Sequence, residues 1–156
     1  MSKSLKRVRA ALEAAGQNIE IRELSDGTRT AQAAADAVGC EVDQIAKSII
    51  FKNEEDGTAV LFITAGGNQV CPDKASALVG APLGKADAKL IRAQTGFAIG
   101  GVSPVGHLTT PRAFFDSDLL NFETIWAAAG TPHHVFGAKP QDLLELSSAQ
   151  QFEFTV

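Results

Sequence analysis

Two apolar runs, Ile49-Ile50-Phe51 and Val60-Leu61-Phe62-Ile63, stand on either side of Asn53-Glu54-Glu55-Asp56-Gly57. A strand that alternates apolar with polar residues leaves one face to water, whereas an unbroken apolar run needs cover on both faces. Five turn-forming residues between two such runs close them into a hairpin, Lys47–Lys52 with Thr58–Ala65. The hairpin is therefore central, and the rest of the chain must supply a layer on each of its faces. Lys47 stands at the mouth of the first strand, a place where a lysine ordinarily snorkels to water.

The remaining elements can supply those layers. Leu5, Val8 and Leu12 recur at helical spacing over Ser4–Ala15, with Gly16 placed to end the helix. Ile19–Leu24 alternates as a half-buried strand, stopped by Ser25-Asp26-Gly27, and Thr30 caps an alanine-rich helix from Ala31 to Val38. Short helices are predicted over Val42–Ala46, Asp73–Val79, Asp87–Gln94 and Pro140–Leu146, with a helical turn at Leu119-Leu120. Strands are predicted at Phe97–Ile99, Arg112–Asp116, Phe122–Ala128, Val135-Phe136 and Phe152–Val156. Both hairpins and helix crossovers occur, so the fold expected is α/β, with a central mixed, largely antiparallel sheet flanked by helices. At 156 residues, without repeats or linkers, the chain reads as a single domain over 1–156.

Charge and composition exclude several classes. A net charge of −4 argues against broad nonspecific nucleic-acid binding, which runs on phosphate neutralisation, but allows a grip on one end of an RNA. Lys3, Lys6, Arg7 and Arg9 give the first helix a basic side, which is either a solvated face or a small phosphate patch; Lys74 and Lys85 are further candidates for such a grip. No run approaches the roughly 20 apolar residues of a membrane span, and the amino terminus lacks the pattern of a secretory signal. Cys40 and Cys71 lack metal-site spacing and read as free thiols, so a reducing cytoplasm is expected.

The segment Gly96-Phe97-Ala98-Ile99-Gly100-Gly101-Val102-Ser103-Pro104-Val105-Gly106-His107 holds four glycines in twelve residues. Glycine lets backbone approach a ligand closely, and Pro104 stiffens the segment and restricts Ser103. Such a loop is either a tight turn or a cradle of backbone groups for a small polar ligand. The usual catalytic signatures are missing: there is no Walker loop, GxGxxG, GxSxG or HExxH. His133 and His134 are adjacent, would face opposite ways on a strand and cannot chelate one metal together; one of them beside His107 could, but nothing in the sequence places them together, and no metal or cofactor is expected. Ser103 has no evident base and acid partner.

Three segments in order, Ile45-Ala46-Lys47-Ser48-Ile49-Ile50-Phe51, Ile99-Gly100-Gly101-Val102-Ser103-Pro104-Val105-Gly106 and Trp126-Ala127-Ala128-Ala129-Gly130-Thr131-Pro132-His133-His134, resemble the YbaK/ProX family of free-standing aminoacyl-tRNA editing domains. That family is related to the editing insertion of bacterial prolyl-tRNA synthetase. The resemblance implies trans-editing, the hydrolysis of the ester joining a wrong amino acid to a tRNA. It places the functional lysine at Lys47 and the GxxxP substrate loop at Gly100–Pro104, with Gly100 and Gly101 beside the chemistry. Phe51, Val102, Ser103, Pro104, Gly130 and one of His133 and His134 would bind substrate. The implied partners are the acceptor end of a mischarged tRNA, tRNA-Pro first, and prolyl-tRNA synthetase, with no membrane. Alanine is the first choice of amino acid removed, then serine or threonine. Two other readings use the same residues: a module that binds the aminoacyl end or regulates a synthetase without hydrolysis, and a small-ester hydrolase with Ser103 as nucleophile.

Overall fold

The computed structural model describes residues 2–17, 19–25 and 30–156, so Asp26 and Gly27 of the expected turn lie outside the described residues. The helices are α1 (Lys3–Ala14), α2 (Ala31–Val38), α3 (Pro72–Val79), α4 (Ala88–Thr95) and α5 (Pro140–Leu146). The strands are β1 (Ile21–Glu23), β2 (Ala46–Asn53), β3 (Ala59–Ala65), β4 (Leu83–Lys85), β5 (Arg112–Asp116), β6 (Ile125–Ala128), β7 (His134–Ala138) and β8 (Gln150–Phe152). Among the described residues no helix is long and apolar enough to cross a membrane.

The hairpin is the centre of a five-stranded sheet ordered β4-β2-β3-β5-β8. It is antiparallel from β4 to β3, with Ile49 opposite Phe62 and Phe51 opposite Val60, and parallel from β3 through β5 to β8. β3 is buried along its whole length, whereas β2 is half-buried, since it lies nearer the edge of the sheet. Successive side chains of β3 and β5 enter different cores, as the two-residue period of a strand requires. Leu61, Ile63, Ala113 and Phe115 face the large core beneath α1, α4 and α5. Val60, Phe62 and Phe114 face a second core closed by Ala75 of α3 and by Phe154. Phe62 stacks on Phe114 at 5.2 Å and meets Phe154 edge-on at 5.0 Å.

The sheet is divided. Strands β1, β7 and β6 form a separate antiparallel sheet, joined to the first by one parallel pairing of Ile45 with Trp126. β4 covers the outer edge of β2 only from Phe51 to Asn53, and β6 pairs beside β2 through Ile45. The intervening edge of β2 borders a gap, which α2 roofs by packing Ala34 and Ala35 on Ile45 and Trp126.

Several boundaries differ from the sequence reading. Phe97–Ile99 is not a strand: Phe97 is buried, Ile99 is 61% exposed, and Gly101 N–H closes a turn on Ala98 C=O at 3.0 Å. The expected helix at Val42–Ala46 is a 3-10 turn over Val42–Gln44, because Ala46 already pairs with Ala65 in the hairpin. Phe122–Ala128 shortens to β6 behind a 3-10 turn at Ser117–Asn121. The final strand lies earlier, at Gln150–Phe152, and Thr155 pairs singly with Val70. β4 escapes the sequence reading, since Leu83-Gly84-Lys85 is too short to show a period.

Helix α1 docks against backbone. Gly130 has φ +99°, and a Cβ there would stand 2.7 Å from Ser4 C=O, so only glycine lets the helix sit down at this point. Gly57, at the hairpin turn, has φ +75° with nothing within 4 Å of a Cβ. Both substitutions by alanine therefore carry the left-handed backbone cost of about 1–2 kcal/mol, and Gly130→Ala adds the clash with α1. Chemical denaturation is expected to show Gly130→Ala as clearly the more destabilising; equal losses would remove the packing argument.

Candidate active site

The gap between the two sheets is a cavity of about 510 Å³. Its walls come from Ala46–Ile49 of β2, Trp126–Ala128 of β6, Val135 of β7, the first turn of α2 with its cap Thr30, and Gly66, Gly100 and Val102. Most of this lining is small or apolar. Among the described residues Lys47 is the one ionisable side chain on it.

The position of Lys47 follows from the turn after β3. Lys47 pairs with Thr64 across the hairpin and its Nζ donates to Gly66 C=O at 3.2 Å. A Cβ on Gly66 would fall 2.2 Å from Val42 C=O, so a side chain there would push the turn off the 3-10 segment. Two carboxylates are pinned around this turn. Asp43 accepts from Gly67 N–H at 2.8 Å, and Asp116 accepts from Ala65 N–H at 3.0 Å and Asn68 Nδ2 at 2.9 Å. Burial pushes the Lys47 ammonium below the ordinary lysine range, while Asp43 and Asp116 pull the other way. The result is a partly desolvated cation already held by one carbonyl.

The glycine-rich segment contributes Gly100 and Val102 to the cavity. Gly101 lies behind them: a Cβ on it would stand 2.8 Å from Thr131 Cα, and its N–H is engaged by Ala98. Two of the three recognised segments are thus in direct backbone contact, with Gly101 as the spacer and not as a donor to a ligand. Ser103 is 0% exposed, its Oγ accepting from Val105 N–H at 3.3 Å, and Pro104 is buried beside it. A buried hydroxyl cannot reach an ester, which overturns both the Ser103 nucleophile and a direct substrate contact by Ser103 or Pro104.

Other expected contacts also fall elsewhere. Phe51 belongs to the second core, edge-on to Phe62 at 5.7 Å: it shares the Lys47 face of β2 but stands four residues farther along, where β4 covers the edge. Gly130 is buried under α1. His133 and His134 border a separate surface depression with Ser2, Leu5 and Glu23, so neither reaches the cavity. His134 Nδ1 is bonded to Thr131 Oγ1 at 2.6 Å, and His133 Nδ1 lies 3.4 Å from Leu24 C=O. Gly66, Asp43, Asp116 and the α2 cap escape the sequence reading of the site. Gly66-Gly67-Asn68 reads as an ordinary turn, and nothing local to it signals a lysine nineteen residues earlier.

The basic residues divide in the same way. Arg7 is internal, donating to Gly106 C=O at 3.2 Å and Gly96 C=O at 2.6 Å, so it is not part of a phosphate patch. Lys74 is held by Thr155 C=O at 2.9 Å and Glu153 at 3.9 Å. Lys3, Lys6 and Arg9 remain exposed on α1, and Lys85 shares a groove with Lys52 and Lys89. Among the described residues no group of three histidine, cysteine, aspartate or glutamate side chains could hold a metal ion.

Comparison with known proteins agrees with this architecture. The family model of the aminoacyl-tRNA editing domain matches residues 25–146. A crystal structure described as a proposed trans-editing enzyme for prolyl-tRNA synthetase is 47% identical, with TM-score 0.92, over 100% of this chain and 99% of that one. The uncharacterized protein YwhH of Bacillus subtilis (strain 168) is 29% identical over 92% of this chain and 91% of its own. The solved structure of a hypothetical protein, 23% identical over 96% of this chain and 99% of that one, shares the fold at TM-score 0.88. With the cavity and its lysine built from the same segments that the family model spans, the chain belongs to the aminoacyl-tRNA editing domain family.

Proposed function

We propose that this protein is a trans-editing deacylase that removes a small wrong amino acid from tRNA-Pro, alanine first and then serine or threonine. The observation that carries this reading is a small, mostly apolar cavity in which Lys47 is the one ionisable wall residue among those described. An aminoacyl ester is already activated, so its hydrolysis needs a placed water and stabilisation of charge on the carbonyl oxygen. Water adds to the carbonyl carbon, the ester C–O bond breaks, and the terminal ribose oxygen leaves with a proton. Lys47 Nζ, a point charge with donors to spare beyond Gly66, serves the developing oxyanion or the terminal phosphate. The neighbouring ribose hydroxyl orients the water, which suits a wall without histidine or carboxylate among the described residues. Ala46, Ala127, Ala128 and Val102 leave room for a small side chain, and Gly100 brings backbone to it. The 47%-identical trans-editing relative supports prolyl-tRNA synthetase as the enzyme whose errors are corrected.

Single-turnover deacylation of tRNA-Pro charged with alanine, serine, threonine, cysteine or proline tests the reading. Release of one wrong amino acid is expected, with Lys47→Ala slower by about 100-fold or more; near-normal release by the variant would remove Lys47 from the chemistry. Tight binding of charged tRNA without release would make the protein a binding module instead. The charged form of Lys47 is lost as pH rises, and its lowered pKa puts that loss below the ordinary value near 10.4. The enzyme-dependent rate, corrected for spontaneous hydrolysis, should therefore fall with rising pH earlier than an unperturbed lysine would dictate.

His133→Ala and His134→Ala are expected to keep single-turnover rates within about twofold of the parent, since neither ring borders the cavity. A large loss in either would place a histidine in the site.

The phosphate grip is local. Neutralising Lys52, Lys85 and Lys89 to glutamine, or Lys3, Lys6 and Arg9, should lower the salt slope of tRNA binding by about one for each phosphate that is no longer neutralised. The set whose removal leaves the slope unchanged lies outside the footprint, and unchanged slopes for both would overturn a grip through either patch.

A further inference from the structure

We propose that His107 is a positioning residue for the cavity loop: its ring holds the Ser103 carbonyl and so fixes where Val102 and Gly100 stand. The inference rests on the deacylase reading for its kinetic consequence, and on geometry alone for its structural one.

His107 Nε2 lies 2.5 Å from Ser103 C=O. A carbonyl can only accept, so Nε2 carries the hydrogen, and in the neutral ring Nδ1 is the acceptor. Nδ1 is buried and has no hydrogen-bond partner among the described residues. Burial pushes the ring below the usual histidine range, with the Ser103 hydrogen bond opposing and the nearby Arg7 charge adding to it, in keeping with a neutral donor. The ring meets Phe97 edge-on at 5.2 Å, and Phe97 is itself fully buried beneath the Arg7 guanidinium at 5.0 Å. Arg7 binds Gly96 C=O and Gly106 C=O. The two ends of the segment are therefore tied to α1, and in its interior the imidazole holds the Ser103 carbonyl beside two further contacts, Gly101 against Thr131 and Val105 N–H on Ser103 Oγ.

That donor acts next to the cavity. Ser103 directly follows Val102, and Val102 and Gly100 are the loop residues on the cavity wall. Pro104 fixes its own φ and restricts Ser103, so a displaced Ser103–Pro104 peptide is not absorbed downstream. The movement passes back to Val102 instead. A shift of about 1 Å at a positioning group is enough to cost a large factor in rate. A half-buried histidine whose buried Nδ1 has no partner among the described residues is a poor choice for packing alone, since an apolar side chain would fill the space without that cost.

His107→Gln and His107→Leu separate the donor from the volume. Glutamine Nε2 can reach the Ser103 carbonyl, whereas leucine fills the space and donates nothing. Three readouts are taken on the full chain: thermal denaturation, amide hydrogen exchange across Phe97–Gly106, and single-turnover deacylation with tRNA affinity measured separately. His107→Leu is expected to remain folded, to exchange faster in Phe97–Gly106 than elsewhere, and to lose about tenfold in rate with tRNA affinity little changed. His107→Gln is expected to restore loop protection and most of the rate. Wild-type loop exchange and rate in His107→Leu would overturn the proposal. So would equal losses in both variants, or a His107→Leu protein that only unfolds while His107→Gln shows no loop protection. If the parent protein releases no amino acid from any charged tRNA, the deacylase reading fails, while the exchange comparison still decides the role of His107.

Discussion

The structure depends on steric room at three backbone crossings. Gly66 lets the turn after β3 settle on Val42, Gly101 lets the cavity loop lie on Thr131, and Gly130 lets α1 descend onto the β6–β7 connection. In each case a Cβ would come within 3 Å of backbone, which cannot yield as the end of a flexible side chain can. The first crossing brings a carbonyl to Lys47, the second sets the loop that carries Gly100 and Val102, and the third holds both under a helix. The cavity is the space left over when these three contacts close. Its precision therefore lies in backbone, with side chains contributing mainly by being small.

A lysine in such a cavity needs a reason to stay charged. Burial alone favours the neutral amine. Asp43 and Asp116 oppose that, yet neither forms a short ion pair with Lys47; turn amides and Asn68 hold the two carboxylates in place around the turn. A tight pair would have neutralised the ammonium and withdrawn it from a ligand. Carboxylates held at a distance favour the charge while leaving Nζ with one acceptor among the described residues, Gly66 C=O. This arrangement matches a task in which the cation must meet an anionic oxygen that comes and goes.

The sequence makes some of this legible and hides the rest for identifiable reasons. The continuous apolar runs force a central hairpin with two cores, and β3 and β5 obey that requirement residue by residue. Helix starts at Thr30, Asp87 and Pro140 are readable because capping is local chemistry. Phe97–Ile99 misleads because an apolar run inside glycines looks like a strand, although Phe97 alone turns inward. Arg7 reads as part of a basic face, since nothing in α1 reveals carbonyls that arrive from residues 96 and 106. Phe51, Ser103 and the histidine pair are assigned to substrate only by resemblance to short motifs. A motif fixes which segment is near the site, but the strand period and the turn decide which of its side chains reach it.

Placing the loop at the junction of two sheets explains why so few polar side chains are needed. An edge of β2 left uncovered between Ile45 and Phe51 offers backbone to a ligand without an interruption of the buried β3 beside it. Rigid cover then has to come from elsewhere, and α1 provides it through Arg7 and the Gly130 contact. With Arg7 bonded inward, α1 presents three exposed cations, Lys3, Lys6 and Arg9, and not the four its sequence advertises. In a chain of net charge −4, the deacylase reading puts recognition chiefly on the cavity and a few exposed lysines. On that reading discrimination is left to the aminoacyl end, the one part of a correctly made tRNA that differs from a mischarged one.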